Sequence, residues 1–420
     1  MRESLNARRC AICVSAGLAL LAATALGETD APGWIWQSQT TVGLRWFPNE
    51  SADPRQDQAD LTLSGQLEGF RDFGKHRFAM SARGRVDDRD SSRNLLDVTE
   101  LYWRRRFSGG EILVGLNQEF WGTTEALHLV DILNQTDLAA GPDGEQKLGQ
   151  PMIRLSVEPD WGRWDFYVLP LFRERTFPGR RGRLRGPVPI DADNARFESS
   201  RKEQHVDFAL RYSHYVGPLE FALSHFSGTS RLPIFTLADR TPLIVAPEAI
   251  ATLPPIALPT ISPLYYLTDQ TGLDATLVTG NWLRKLEAIR GRDPRGVFEA
   301  ATGGFEITIN NVAGTSVDAG LIVEYQYDSR PTDLLVTTND DWVAGVRLSF
   351  NDFAGSELLL LSTRDSVTRA GVTSVEASRR FGSAWRGSLE ARFFHSGNGL
   401  DALSLFENED HVQLSLTRFF

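Results

Sequence analysis

The sequence predicts an all-β fold: a transmembrane, antiparallel, up-and-down β-barrel of about 18 strands, within a range of roughly 16 to 18. Segments of about ten residues recur in which every second residue is apolar, and turn residues end each segment. The connections between these segments alternate between short and long. An apolar stretch near the N-terminus indicates that the chain is exported.

The alternation is clear in residues 317–327, where Leu321 and Val323 share one face and Glu324 lies on the other. Residues 342–350 repeat the pattern. Successive side chains of a β-strand point to opposite faces, whereas a helix would need a period of 3.6 residues. One face of each strand can therefore meet lipid while the other faces a polar lumen.

The strand boundaries follow from this alternation and from the turn residues. We predict strands near 34–47, 60–72, 75–87, 94–107, 110–121, 150–159, 162–172, 204–216, 218–228, 264–279, 281–291, 296–311, 316–328, 338–350, 354–364, 370–382, 384–395 and 409–420. Short turns would face the periplasm, and long loops would face outward at 48–59, 122–149, 173–203, 229–263, 329–337 and 396–408. An even strand count places both termini on the periplasmic side.

The first 27 residues are typical of a signal peptide. Arg2, Arg8 and Arg9 precede an apolar stretch, and small residues allow cleavage after Gly27. The alternative is an uncleaved membrane anchor, for which the stretch is short. Residues 28–420 would then form a single barrel domain without cysteine, because Cys10 and Cys13 belong to the leader.

Charge excludes some functions and supports the barrel. Cleavage would remove three arginines and one glutamate, so the net charge of −10 would become −12 and nucleic acid would be a poor partner. Charges of both signs fall on the polar faces of strands, which a water-filled lumen accommodates and a dry sandwich core does not. The strand positions that could line a constriction are Arg104, Arg106, Arg154, Arg211, Arg347 and Arg386.

The last seven residues, 414–420, alternate and end in Phe420. This segment resembles the C-terminal strand of Gram-negative outer-membrane proteins, although Arg418 departs from their apolar preference two positions before the end. The resemblance implies an outer-membrane location, outer-membrane lipids and lipopolysaccharide as surroundings, and recognition of Phe420 by the barrel-assembly machinery.

A second resemblance covers residues 115–122 and 129–137. They resemble a strand-and-loop pattern of large uncharacterised proteobacterial barrel proteins, several of which are thought to serve export or lipid traffic. The resemblance implies porin-like architecture and leaves the substrate open.

The loop 122–149 has features of a pore constriction. Thr124 could cap a short helix, in which Leu127, Val130 and Leu133 would share one side. Folded into the lumen, this loop would narrow the pore; alternatively, the helix would cap the outer rim. The loop residues that could line the constriction are Glu125, His128 and Asp131.

Two other loops carry unusual composition. The loop 173–203 contains an arginine cluster that could attract anions, hold lipopolysaccharide phosphates or remain a solvated surface. Its members include Arg173, Arg175, Arg180, Arg181 and Arg183. The loop 229–263 is apolar and rich in proline, as in residues 254–259. This composition favours an apolar substrate over a sugar.

The leading functional hypothesis is passive transport of a small solute, anionic or partly apolar, through the lumen. The second is an export or lipid-traffic barrel with periplasmic partners. The third is a lipid hydrolase, because residues 225–228 (His-Phe-Ser-Gly) loosely resemble the His-x-Ser-Asn-Gly segment of outer-membrane phospholipase A. Gly228 stands where that family has Asn, so we predict no catalytic residue. We also predict no cofactor and no metal.

Overall fold

The structure is a computed structural model that describes residues 33–51, 53–186, 188–237, 260–331, 333, 335–337, 339–397 and 402–420. The predicted leader and the proline-rich run 254–259 lie outside the described residues. In the described part of the chain, no helix is both long and apolar enough to cross a membrane.

Eighteen strands form one antiparallel sheet. They are β1 (Ile35–Trp46), β2 (Ala59–Phe73), β3 (His76–Asp87), β4 (Leu95–Phe107), β5 (Gly110–Asn117), β6 (Gln150–Val157), β7 (Arg163–Leu169), β8 (Asp207–Val216), β9 (Leu219–Thr229), β10 (Leu267–Thr279), β11 (Trp282–Asp293), β12 (Gly296–Ile309), β13 (Asp318–Asp328), β14 (Asp340–Ser349), β15 (Glu357–Asp365), β16 (Gly371–Phe381), β17 (Trp385–His395) and β18 (His411–Phe419). Each predicted strand overlaps one of these, so the predicted fold class and strand count are confirmed.

The sheet closes on itself because β1 pairs with both β2 and β18. Gln39 lies opposite Phe419, and Trp46 lies opposite Val412. Beyond the last pair, the backbone NH of Phe420 donates to the carbonyl of Ser38 at 2.9 Å. Closure leaves no unpaired strand edge, which a sheet surrounded by lipid requires.

The two faces of the wall differ as the alternation predicts. At the seam, Val42 and Leu44 of β1 and Leu414 and Leu416 of β18 are exposed on the outer face. Gln413 of β18 points the other way and accepts a hydrogen bond from Arg45. The outside of the barrel is therefore apolar and the inside polar, as in transmembrane barrels.

The connections differ in length between the two ends of the barrel. One end, the short-turn end, has tight turns such as 74–75, 108–109, 217–218 and 280–281. The opposite, long-loop end carries 47–58, 88–94, 118–149, 170–206, 230–266, 329–339, 366–370 and 396–410, together with the two-residue turn 294–295. Three short strands, Arg196–Phe197, Ile234–Thr236 and Ser262–Tyr265, pair above this end.

The fifth strand is shorter than predicted. It ends at Asn117, and Trp121 does not lie at the lipid interface, because it is only 4% exposed. Its ring contacts Tyr167 and the guanidinium of Arg211. Trp121 belongs to a buried cluster with Val130 and Leu133, so burial inside the barrel outweighs continuation of the strand. Exposed tryptophans do flank other strands, at 46, 161, 342 and 385.

Gly304 of β12 allows the neighbouring strand to approach closely. A Cβ at this position would overlap the Val323 carbonyl and the Cα of Glu324 on β13. We expect Gly304→Ala to lower the free energy of unfolding by about 1–3 kcal/mol, because the backbone cannot yield as a side chain can. The measurement is the urea midpoint of the compact, heat-modifiable band on a gel. Gly65→Ala is the control, since its nearest atom lies 3.6 Å away; equal midpoints for the two variants would contradict the explanation.

Candidate functional site

Residues 118–149, here called the inner segment, connect β5 to β6 and bond to strands on every side of the ring. Its wall partners lie on β1, β3, β6, β11, β13, β14 and β17. They are Arg45, Arg83, Arg85, Arg154, Glu287, Glu324, Arg347 and Arg392. A segment that touches opposite walls of a closed barrel must lie within its lumen.

Among the described wall side chains, Glu287 of β11 accepts the most hydrogen bonds from the inner segment. Its Oε1 accepts the backbone NH groups of Thr123 (2.7 Å) and Thr124 (3.0 Å) and the Thr124 hydroxyl (2.8 Å). Its Oε2 accepts the NH of Val130 at 3.2 Å. The side chain has no exposed area, so these donors replace water around the carboxylate.

A second carboxylate continues this attachment. Glu324 of β13 accepts the NH groups of Glu125 (2.8 Å) and Ala126 (3.2 Å). The short helix predicted for this stretch is therefore wrong: residues 121–134 are irregular. Side-chain carboxylates from two wall strands take NH groups that a helix would direct to its own carbonyls.

Glu125 is held between two cations. Its carboxylate lies 2.6 Å from a guanidinium nitrogen of Arg347 and 3.2 Å from Lys285 Nζ. Burial opposes ionisation, but these cations outweigh it and hold the pKa of Glu125 below its ordinary value. The structure therefore brings two predicted candidates, Glu125 and Arg347, into contact.

His128 sits between carboxylates. Its Nδ1 lies 3.7 Å from Glu287, its Nε2 lies 3.9 Å from Glu145, and its ring packs edge-on against Phe120. Burial disfavours the imidazolium, but Glu287, Glu145 and Asp131 outweigh burial and raise the pKa of His128 above its ordinary value. The third loop candidate, Asp131, pairs with Lys147 at 3.0 Å.

The remaining strand candidates each pair with another group, and only some lie near the inner segment. Arg154 bridges Glu111 and Glu119, and Arg211 lies 2.8 Å from Asp274. Towards the short-turn end, Arg104 and Arg106 approach Glu111 at 3.8 and 3.6 Å, and Arg386 donates to Ser378 at 2.6 Å. The structure does not bring these last three to the inner segment.

The inner segment narrows the lumen without filling it. Its part 140–146, here called the tip, faces a polar cavity of about 330 Å³ bounded by β1, β2, β3, β17 and β18. On its other side lies a second cavity of about 390 Å³ at the long-loop end, here called the vestibule. Asp143 and Glu145 line both cavities, so the tip is the partition between them.

Charges of both signs line the polar cavity. Arg83 and Arg85 of β3 and Arg45 of β1 line one wall, while Asp143 and Glu145 line the tip. Sequence reasoning missed all five as constriction residues. The alternation did carry a signal for Arg83 and Arg85, because they occupy successive polar-face positions of one strand.

The arginine cluster of the 173–203 loop divides by environment. Arg173 lies 2.8 Å from Asp97, Arg183 lies 3.0 Å from Glu409, and Arg175 is buried and bonds to Gln135. The last two members, Arg180 and Arg181, are exposed. Attraction of solution anions by the loop surface stays a prediction for these two.

The hydrolase candidate is placed on the wall of the barrel. The Nδ1 of His225 lies 2.9 Å from the Thr271 hydroxyl, on the exposed side of β9. Among the described residues, its hydrogen bond is therefore to Thr271 and not to Ser227. The described part of the chain also contains no group of three or more His, Cys, Asp or Glu side chains arranged to hold a metal ion.

Comparisons with known proteins give a likeness of fold. No family model and no curated protein matches the sequence. Among solved structures, Pseudomonas aeruginosa OpdQ is similar at a TM-score of 0.52 and 11% identity, covering 94% of this chain and 99% of that one. Pseudomonas aeruginosa OccK5 (OpdH) is similar at 0.51 and 10% identity, covering 92% and 97%. The fold is that of a closed, porin-like β-barrel, as the sequence predicts.

Removal of the Glu287 carboxylate should release the inner segment. Glu287→Ala leaves buried NH groups of three residues without an acceptor, so we expect a loss of about 2–4 kcal/mol in unfolding free energy. The readouts are the urea midpoint and protease cleavage within residues 118–149. Glu299→Ala is the control, because the Glu299–Arg290 pair is exposed and should contribute about 0–1 kcal/mol. Equal effects of the two substitutions would contradict the assignment.

The attachment of His128 should depend on pH. A raised pKa means that its stabilising contribution is complete below the ordinary value of about 6.5 and is lost as pH rises through the raised pKa. We expect the melting temperature of the compact band to fall as the pH rises from about 6.5 through the raised pKa of His128. His128→Gln should flatten this part of the profile; an unchanged slope in the variant would show that other groups cause it.

Proposed function

We propose that the protein is a channel of the Gram-negative outer membrane through which a small solute diffuses. One observation carries the proposal: the inner segment is fixed inside the closed barrel, yet open cavities lie on both sides of its tip. A barrel of 18 strands is wide enough to hold an aqueous channel, which an inward segment can narrow. The solute would pass from the vestibule, around Asp143 and Glu145, into the polar cavity.

The charges at the tip support a polar or charged solute. Asp143 pairs with Arg392 of β17 at 2.9 Å, and Arg392 also pairs with Glu390 at 3.0 Å. Arg45 and Arg83 line the same cavity and donate to the Ala140 carbonyl and to the Gln146 side chain of the tip. Charges of both signs in a narrow region create a local field that orients dipolar solutes and selects among ions.

The outer surface supports the proposed surroundings. Apolar side chains such as Leu414 and Leu416 cover the outside of the seam, where membrane lipids would contact them. Phe420 lies at the short-turn end beside Ser38, with the Arg418 guanidinium over its ring. We propose that assembly machinery recognises this terminal strand and that lipopolysaccharide surrounds the long-loop end.

Planar-bilayer recording tests the proposal. The purified protein should form stable open channels, and absence of conductance would contradict a channel function. The double variant Asp143→Asn, Glu145→Gln should shift the reversal potential in a salt gradient towards anion preference, by roughly 10 mV or more, because it removes two negative charges beside the arginines. Glu299→Gln, at an exposed pair away from the tip, is the control. An unchanged reversal potential in the double variant would place the narrow region elsewhere.

A further inference from the structure

The vestibule has the size and lining of a small-molecule site. Its volume of about 390 Å³ is within the range of ligand pockets. The inner segment forms one side, and loop residues such as Phe177, Leu184, Leu335 and Val336 form an apolar side. Phe177 is anchored in a buried cluster with Val188, Phe235 and Ile261. This apolar surface is thus a fixed part of the structure.

Four buried arginines also line the vestibule. Arg185 and Arg330 pair with Asp53 and Asp328, and the other two are Arg175 and Arg231. Arg231 is 4% exposed; its Nη1 lies 2.7 Å from Asp207, and its Nε donates to the Leu133 carbonyl at 3.0 Å. Its Nη2 is buried and has no hydrogen-bond partner among the described residues.

Arg175 lacks an anionic partner in the described structure. It is 8% exposed; its Nε donates to Gln135 at 3.2 Å, and its Nη2 donates to the Arg231 carbonyl at 3.2 Å. No carboxylate of the described residues lies within ion-pair distance of it. Burial lowers the pKa of Arg175 to about 10, which leaves it charged at neutral pH.

The neighbouring charges do not compensate for this cation. Asp207 is the only carboxylate paired with either arginine in the described part of the chain, and it also accepts the NH of Thr229 and pairs with His205. The acidic residues that line the vestibule each have another partner: Asp131 with Lys147, Asp143 with Arg392, Glu145 with His128, and Asp328 with Arg330. Asp333 interacts with Arg175 only beyond ion-pair distance, and it approaches Arg295 at 3.8 Å. The arginine pair thus carries one unbalanced positive charge, and an unpaired buried charge is strongly destabilising.

We propose that the vestibule binds an amphipathic anion, with its anionic head on Arg175 and the free Nη2 of Arg231 and its apolar body against Phe177, Leu184 and Leu335. A planar carboxylate suits the guanidinium donors. The inference rests on the proposed function in one respect, since the bound anion would be the solute that the channel admits.

Isothermal titration of the purified full-length protein with three probes tests the site. The probes are 3-phenylpropionate, 3-phenylpropanol and acetate, which separate the charged head from the apolar body. We expect 3-phenylpropionate to bind about tenfold or more tightly than either of the others. Equal affinity for 3-phenylpropionate and 3-phenylpropanol would overturn the proposal, because the cation would then contribute nothing.

Variants assign the binding to these residues. Arg175→Gln should weaken 3-phenylpropionate about tenfold or more, whereas Arg180→Gln, at an exposed position of the same loop, should not change it. Leu335→Ser tests the apolar side without touching the arginines and should weaken 3-phenylpropionate while leaving acetate unchanged. Heat-modifiable migration confirms that each variant folds. Unchanged affinity in both Arg175→Gln and Leu335→Ser would overturn the site.

The experiments distinguish failure of the proposed binding site from failure of the proposed channel function. A protein that conducts in a bilayer but does not prefer 3-phenylpropionate retains the channel function and loses this inference. A protein that binds 3-phenylpropionate through Arg175 but does not conduct retains the site and loses the channel function.

Discussion

One buried carboxylate, that of Glu287, determines how the lumen is divided. It accepts the backbone NH groups of three residues in a stretch that has no regular secondary structure. An irregular backbone inside a barrel needs acceptors for its NH groups, and here the wall supplies them. The position of the tip, the shapes of the two cavities and the surroundings of His128 all depend on this attachment.

The attachment also explains why the wall can carry so many charges. Arg154 joins Glu119 of the inner segment to Glu111 of the wall, and Arg347 joins Glu125 to Glu306. Each pair balances charges that face the narrowed part of the lumen. Cations and anions therefore stabilise the inner segment where it docks.

The fold was predictable because its determinants are local. Period-two alternation and turn residues recur within each hairpin, so each strand could be recognised without knowledge of the others. The conformation and attachment of the inner segment could not be predicted in this way. Thr123 and Glu287 are 164 residues apart, and no local pattern shows that a wall carboxylate replaces the helical acceptors. The burial of Trp121 likewise follows from contacts with β7 and β8.

For the candidate residues too, local sequence patterns predicted the charged positions but not their long-range contacts. Glu125 and Arg347 were identified as charged positions of a loop and a strand, and their contact emerged only from the closed barrel. The ion pairs of Arg173 and Arg183 join distant elements, so a local cluster of arginines gave no information about which members stay exposed. Arg83 and Arg85 could have been identified from the polar face of β3, but their bonds to Gln146 and Asp137 depend on the inner segment.

The central claim is that the tip of the inner segment narrows an open path through the barrel. The most direct measurement uses Glu145→Cys, because the only native cysteines, Cys10 and Cys13, lie in the predicted leader. A bulky reagent that forms a mixed disulfide with the introduced thiol is added to single channels in a planar bilayer. Stepwise loss of conductance on modification, reversed by a reducing agent, is the result that the structure predicts. Complete modification with unchanged conductance would show that the ions do not pass the tip.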